Sequence, residues 1–216
     1  MKNIDLSLYL VTDNSENEEK FLKTIQDAIL GGVSVVQIRE KTAETLEFYN
    51  LALKVKEITA KYNVPLIIND RVDVALAIDA DGVHVGQSDM PCDITRKLIG
   101  ENKILGVSAA TIEEAKKAEK DGADYIGTGA IFPTATKDDA PSVTKKDLTD
   151  IANSINIPVV AIGGCVQISP EEALAAGFAG VYQVTPADMS LEEAMRLDVA
   201  SKNVYDTTLK ILNRYE

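Results

Sequence analysis

Eight short apolar runs, each followed by a longer stretch with helical spacing, limit the folds open to this chain more than any other feature. The runs are Leu8–Val11, Val33–Gln37, Leu66–Ile68, Gly82–Val85, Ile104–Val107, Tyr125–Gly127, Val159–Ile162 and Gly180–Val184. They are short, rich in Val, Ile and Leu, and continuous rather than alternating, as strands buried on both faces should be. Helix-like segments lie between and after them, near residues 17–30, 43–61, 71–79, 92–99, 111–120, 145–154, 169–176 and 189–214. Gly31–Gly32, Gly100, Gly122 and Gly177 fall just past helical stretches, where a left-handed residue ends a helix. Strands alternating with helices imply a parallel sheet. Eight such units favour closure, so the expected fold is α/β, a (β/α)8 TIM barrel forming one domain over residues 1–216. A doubly wound sheet would need a Gly-rich fingerprint after the first strand, and Thr12-Asp13-Asn14-Ser15 stands there instead.

The balance of charge narrows the partners. The formal net charge is -12, with no basic stripe, which argues against nucleic acid and for a small-molecule ligand. Any phosphate must then be attracted locally, by a few Lys and Arg, a helix N-terminus or a metal. Cys92 and Cys165 lie far apart with no metal-type spacing, so a reduced, cytoplasmic setting is expected. The opening segment MKNIDLSLYLVTD has no signal-peptide run, and no apolar stretch reaches the ~18 residues of a membrane helix. Homo-oligomerisation is compatible with such a barrel, and nothing in the sequence fixes its order.

A barrel of this kind carries its site at the C-terminal ends of the strands. Polar and glycine residues recur there: Gln37 to Lys41, Asn69–Asp70, His84 to Asp89, Ser108, Thr134 to Lys137, Gly163–Gly164 and Val184–Thr185. If the second strand continues, Gln37, Arg39 and Lys41 share a face, and two cations with an amide suit a diphosphate. The alternative is a solvated strand end with an ion pair to Glu40. Asn69 and Asp70 suit the cap of the next helix. Asp70 together with Asp89, at neighbouring strand ends, also suits Mg2+. Asp89 reads equally as a turn residue. His84, the sole histidine, reads as a packed, hydrogen-bonded side chain. Gly163–Gly164 lets a backbone approach a ligand, or simply turns. Gly127–Thr128–Gly129 is too short for a dinucleotide fingerprint. The loop holding Lys137 is the longest, and Lys137 suits a departing anion.

Taken in order, Leu8-Tyr-Leu-Val-Thr-Asp13, Gln37-Ile-Arg-Glu-Lys41, Ile67-Ile-Asn-Asp70, Gly82-Val-His-Val-Gly-Gln-Ser-Asp89, Gly106-Val-Ser108, Phe132-Pro-Thr-Ala-Thr-Lys-Asp-Asp-Ala140 and Ala161-Ile-Gly-Gly164 resemble the thiamine-phosphate synthase family. The resemblance implies a Mg2+-dependent transferase of thiamine biosynthesis that condenses 4-amino-2-methyl-5-(diphosphooxymethyl)pyrimidine with a thiazole-ethyl phosphate. It implies that Gln37, Arg39, Lys41, Asn69, Ser108 and Lys137 contact the pyrimidine diphosphate, with Ile38 and Glu40 in the same binding segment. Arg39, Lys41, Lys137 and Ser108 would carry the catalytic roles. Asp70 and Asp89 would hold Mg2+. Thr134, Ala135, Thr136, Gly164, Val184 and Thr185 would hold the thiazole phosphate. The chain departs from the family pattern at Tyr182-Gln-Val-Thr-Pro-Ala-Asp188, where Val-Ser is usual and Pro186 has no N–H to give. Rival readings are a thiazole tautomerase-like paralogue and a non-catalytic phosphate-ligand binding protein. The first should not need the Asp70–Asp89 pair or the Thr-x-Thr-Lys loop, and their presence counts against it. The second would bind the pyrimidine diphosphate without turnover.

Overall fold

Strand β1 (Leu8–Val11) pairs on one side with β2 (Val35–Ile38) and on the other with β8 (Gly180–Gln183), and this double pairing closes the sheet. The remaining strands follow in chain order: β3 (Leu66–Asn69), β4 (Gly82–Val85), β5 (Ile104–Ser108), β6 (Tyr125–Thr128) and β7 (Val159–Ala161). All eight pairings are parallel, so the result is a closed β1-to-β8 barrel. The structure is a computed structural model and describes residues 4–6, 8–12, 17–129, 143–161 and 180–183. The helices described are α1 (Glu18–Gly31), α2 (Thr45–Lys61), α3 (Val72–Ala77), α4 (Cys92–Ile99), α5 (Ile112–Lys120) and α6 (Lys145–Ser154). Those expected near 169–176 and 189–214, and the glycine stop at Gly177, lie outside the described residues. Among the described residues no helix is long and apolar enough to cross a membrane.

Alternation along each strand sorts side chains into two cores. Tyr9, Val11, Val35, Ile67, Ile104, Tyr125 and Val160 belong to an inner cluster. Their neighbours Leu10, Val36, Ile38, Leu66, Ile68, Val83 and Leu105 join the cluster that includes helix residues such as Phe21, Ile25, Phe48 and Val55. Each aliphatic side chain fully buried in this way contributes roughly 1.5–3 kcal/mol. Because both faces are covered, the strands show no apolar–polar alternation in sequence.

Local chemistry sets the element ends. Asn17 caps α1 by accepting from Lys20 N at 3.0 Å, and Glu18 and Glu19 complement the helix dipole. At the other end Gly32 takes φ 116°, a left-handed value that side chains disfavour. Val33 N then returns to Ala28 O at 3.1 Å. Val33 therefore closes the helix instead of opening β2, and the strand begins two residues later than its apolar run. Thr144 and Asp147 form a reciprocal capping box at α6.

Candidate active site

The C-terminal ends of β2, β3, β4 and β5 bring together much of the charge and polarity expected of the site. Strand β2 stops at Ile38, where Arg39 N turns to donate to Thr12 Oγ1 at 3.1 Å. The common face expected for Gln37, Arg39 and Lys41 is therefore not produced by strand alternation. Gln37 points inward and is buried, donating from Nε2 to the Tyr9 hydroxyl at 2.8 Å. Ile38 packs in the outer core with the helix residues. The Glu40 carboxylate accepts from Thr42 N, Thr42 Oγ1 and Ala43 N, fastening its own loop. Lys41 reaches across to Asp70, Nζ to Oδ2 at 2.5 Å, rather than pairing with Glu40.

Asn69 ends β3 opposite His84 in the β4 register, and Asp70 follows in a left-handed conformation with φ 63°. Such a φ is uncommon for a residue with a side chain, though Asp tolerates it better than most. Asp70 N donates to His84 O at 2.8 Å, which pins this turn to the neighbouring strand. The residue preceding α3 is Arg71, with no side-chain cap bond, so capping is not the structural role of Asn69 or Asp70. The Asp89 carboxylate accepts from Gly86 N at 2.7 Å, the turn role anticipated for it, and also meets the carboxyl of Asp70. Burial pushes the Asp89 carboxyl above its usual range, and the neighbouring Asp70 carboxyl adds to the effect.

Two carboxyls this close strain against their own charge, and a cation between them would relieve it. The donor set is all oxygen, which suits a hard divalent cation. Among the described residues no group of three or more His, Cys, Asp or Glu gathers as a metal cage. Mg2+ is commonly held by one or two carboxylates, with waters and substrate phosphate oxygens completing the shell, and Asp70 with Asp89 meets that requirement.

Ser108 ends β5 with Oγ 2.9 Å from His84 Nε2, and its carbonyl accepts from Gln87 Nε2 at 2.6 Å. His84 is buried, and its Nδ1 lies 2.9 Å from the Tyr125 hydroxyl, consistent with a packed, hydrogen-bonded residue. Tyr9, Tyr125, Thr12 and Gln87 were not singled out from sequence. The two tyrosines are strand residues whose inward parity was their only signal. Thr128, at the end of β6, is fully buried, and its hydroxyl has no partner among the described residues. Thr134, Ala135, Thr136, Lys137, Gly164, Val184 and Thr185 lie outside the described residues.

A family model described as thiamine monophosphate synthase matches residues 8–186. The chain belongs to the thiamine monophosphate synthase family. A thiamine-phosphate synthase of Methanobrevibacter smithii is 64% identical over 204 residues, covering 94% of this chain and 96% of that protein. One from Alkaliphilus oremlandii is 59% identical over 183 residues, covering 84% and 88%. The solved thiamine phosphate pyrophosphorylase of Pyrococcus furiosus superposes with a TM-score of 0.74 at 35% identity, covering 97% of this family member and 96% of that chain.

Proposed function

We propose that this chain joins a pyrimidine diphosphate to a thiazole phosphate, giving thiamine phosphate and diphosphate. The observation that carries the reading is the meeting of Lys41, Asp70 and Asp89 at one rim of the barrel, beside Asn69 and Ser108. Cations and paired carboxylates at one mouth suit a diphosphate brought in with a divalent ion. The high identity to synthases over nearly the whole chain supports the same choice.

In the reaction, the bond between the pyrimidine methylene carbon and the diphosphate oxygen breaks, and its electron pair leaves with the diphosphate. The thiazole nitrogen then supplies the pair that forms the new C–N bond. Mg2+ held by Asp70 and Asp89 would neutralise charge on the diphosphate. Lys41 and Arg39 add fixed positive charge on the β2 side, and Lys137 is assigned the same task. Such preorganised charge is worth most where negative charge develops. Gln37 and Asn69 orient the pyrimidine, and Ser108 contributes a hydroxyl at the β5 end. Thr134, Ala135, Thr136, Gly164, Val184 and Thr185 are assigned to the thiazole phosphate.

No protein nucleophile is required. Cys92 is buried at the start of α4, its thiol donates toward Ala118 O, and burial pushes it up to about 11, so it stays a thiol. A reducing cytoplasmic setting suits such a chain. The test is Asp70→Ala and Asp89→Ala assayed with scarce Mg2+. Both should lose turnover, and full activity in both would refute the metal assignment. A binding protein without turnover would instead hold the pyrimidine diphosphate and release no diphosphate.

A further inference from the structure

Five side chains from five strands form one hydrogen-bonded line through the barrel interior. Gln37 Nε2 lies 2.8 Å from Tyr9 Oη, Tyr9 Oη 2.6 Å from Tyr125 Oη, Tyr125 Oη 2.9 Å from His84 Nδ1, and His84 Nε2 2.9 Å from Ser108 Oγ. The first and last members are residues assigned to the substrate. The middle three have no assigned role.

The direction of this line follows from its first member. An amide nitrogen can only donate, so Tyr9 Oη accepts from Gln37. Burial disfavours the charged form of both phenols and pushes their pKa up, so both stay neutral and each has one hydrogen to give. Among the described residues Tyr9 Oη has no acceptor in reach other than Tyr125 Oη, so its hydrogen goes there, and the Tyr125 hydrogen goes on to His84 Nδ1. A neutral imidazole that accepts at Nδ1 carries its proton on Nε2. That Nε2–H donates to Ser108 Oγ, and the Ser108 hydrogen is directed elsewhere. A diphosphate offers acceptors only, so a donating hydroxyl is the form a site for it requires.

We infer that Tyr9 and Tyr125 are positioning residues that pass a one-way run of hydrogen bonds from Gln37 to His84, fixing His84 as its Nε2–H tautomer and Ser108 as a hydrogen donor to substrate. The part concerning substrate rests on the proposed synthase reading. The tautomer does not, and it is read on protein without substrate.

His84 is the only histidine, so its two ring nitrogens give unambiguous signals in uniformly 15N-labelled protein. A two-bond 1H–15N correlation of the full chain should show Nε2 protonated and Nδ1 bare. A protonated Nδ1, alone or with Nε2, would overturn the inference, because the line would then run from Ser108 toward Gln37 or be broken. Tyr125→Phe removes the hydrogen given to Nδ1, and the single tautomer should give way to a mixture. An unchanged pure Nε2–H signal in that variant would show that the tyrosines do not set the tautomer. Turnover should follow, with kcat down about tenfold, the loss of roughly one hydrogen bond. An unchanged kcat with a redistributed tautomer would overturn the positioning role. If Tyr125→Phe does not fold, the unmodified protein still decides the direction. Loss of the synthase reading alone would leave the tautomer result standing.

Discussion

Replacing Gly106 by alanine should damage this protein more than most single methyl additions. A Cβ at Gly106 would lie 2.1 Å from Tyr125 Cζ, 2.2 Å from its Oη and 2.5 Å from His84 Nδ1. All three are far inside van der Waals contact, and the Tyr125 ring is 1% exposed with no room to retreat. Overpacking of this kind costs about 1–3 kcal/mol. Displacing the ring also parts Tyr125 from Tyr9 and His84, and a buried polar group left unpaired costs a further ~1–3 kcal/mol. The lower chain entropy of alanine returns at most ~1 kcal/mol. The net is about 3 kcal/mol, which for a chain of this size lowers Tm by roughly 10 °C. Thermal unfolding followed by circular dichroism checks it. A Tm within about 2 °C of the parent would show that the interior yields easily, and the reasoning from close packing would fail.

Other substitutions test separate parts of the account. Asp89→Asn keeps an oxygen for Gly86 N but removes one of two facing carboxyls. Activity should fall by about 10²-fold or more. Stability without metal should rise at neutral pH, by about 0.5 kcal/mol at this partly exposed site. Folding holds the Asp89 proton to higher pH than unfolding does, so metal-free stability declines as pH rises from the ordinary carboxylate range, and Asp89→Asn should flatten that decline in urea titrations. Lys41→Ala should weaken binding of the pyrimidine diphosphate, read by calorimetry, while leaving Tm nearly unchanged, since its ion pair with Asp70 is half exposed. Arg96 is nearly buried and donates to Gly100 O, Lys103 O, Gly122 O and Asp124 Oδ2 before β5 and β6. Arg96→Ala should cost about 3–5 kcal/mol by chemical denaturation and leave kcat of the folded enzyme unchanged, because this is the stability face of the barrel.

Much of this arrangement was legible in the sequence, for definable reasons. Strands buried on both faces read as short apolar runs, and Gly32, Gly100 and Gly122 mark helix ends because each takes a positive φ. Asp70 and Asp89 could be linked because their strands are neighbours in both chain and barrel. The ends of elements were less clear wherever a backbone bond diverts an apolar residue, as Val33 is drawn back to α1. The shared face of Gln37, Arg39 and Lys41 was conditional on the second strand continuing past Gln37, and Thr12, by capturing Arg39 N, ends it at Ile38. The interior line was hidden most completely. Tyr9 and Tyr125 are 116 positions apart, and each looks like one more apolar strand residue until the fold brings both hydroxyls together in the barrel interior. Nothing local in the sequence explains Gly106, because what requires it is a tyrosine ring on the adjacent strand.

The central claim is that the rim built on Lys41, Asp70, Asp89 and Ser108 performs the condensation. The most direct measurement is product formation by the purified chain with pyrimidine diphosphate, thiazole phosphate and Mg2+, with and without chelator. The account predicts thiamine phosphate and released diphosphate in equal amounts, both abolished by chelation. Tight binding of the pyrimidine diphosphate with neither product formed would contradict it.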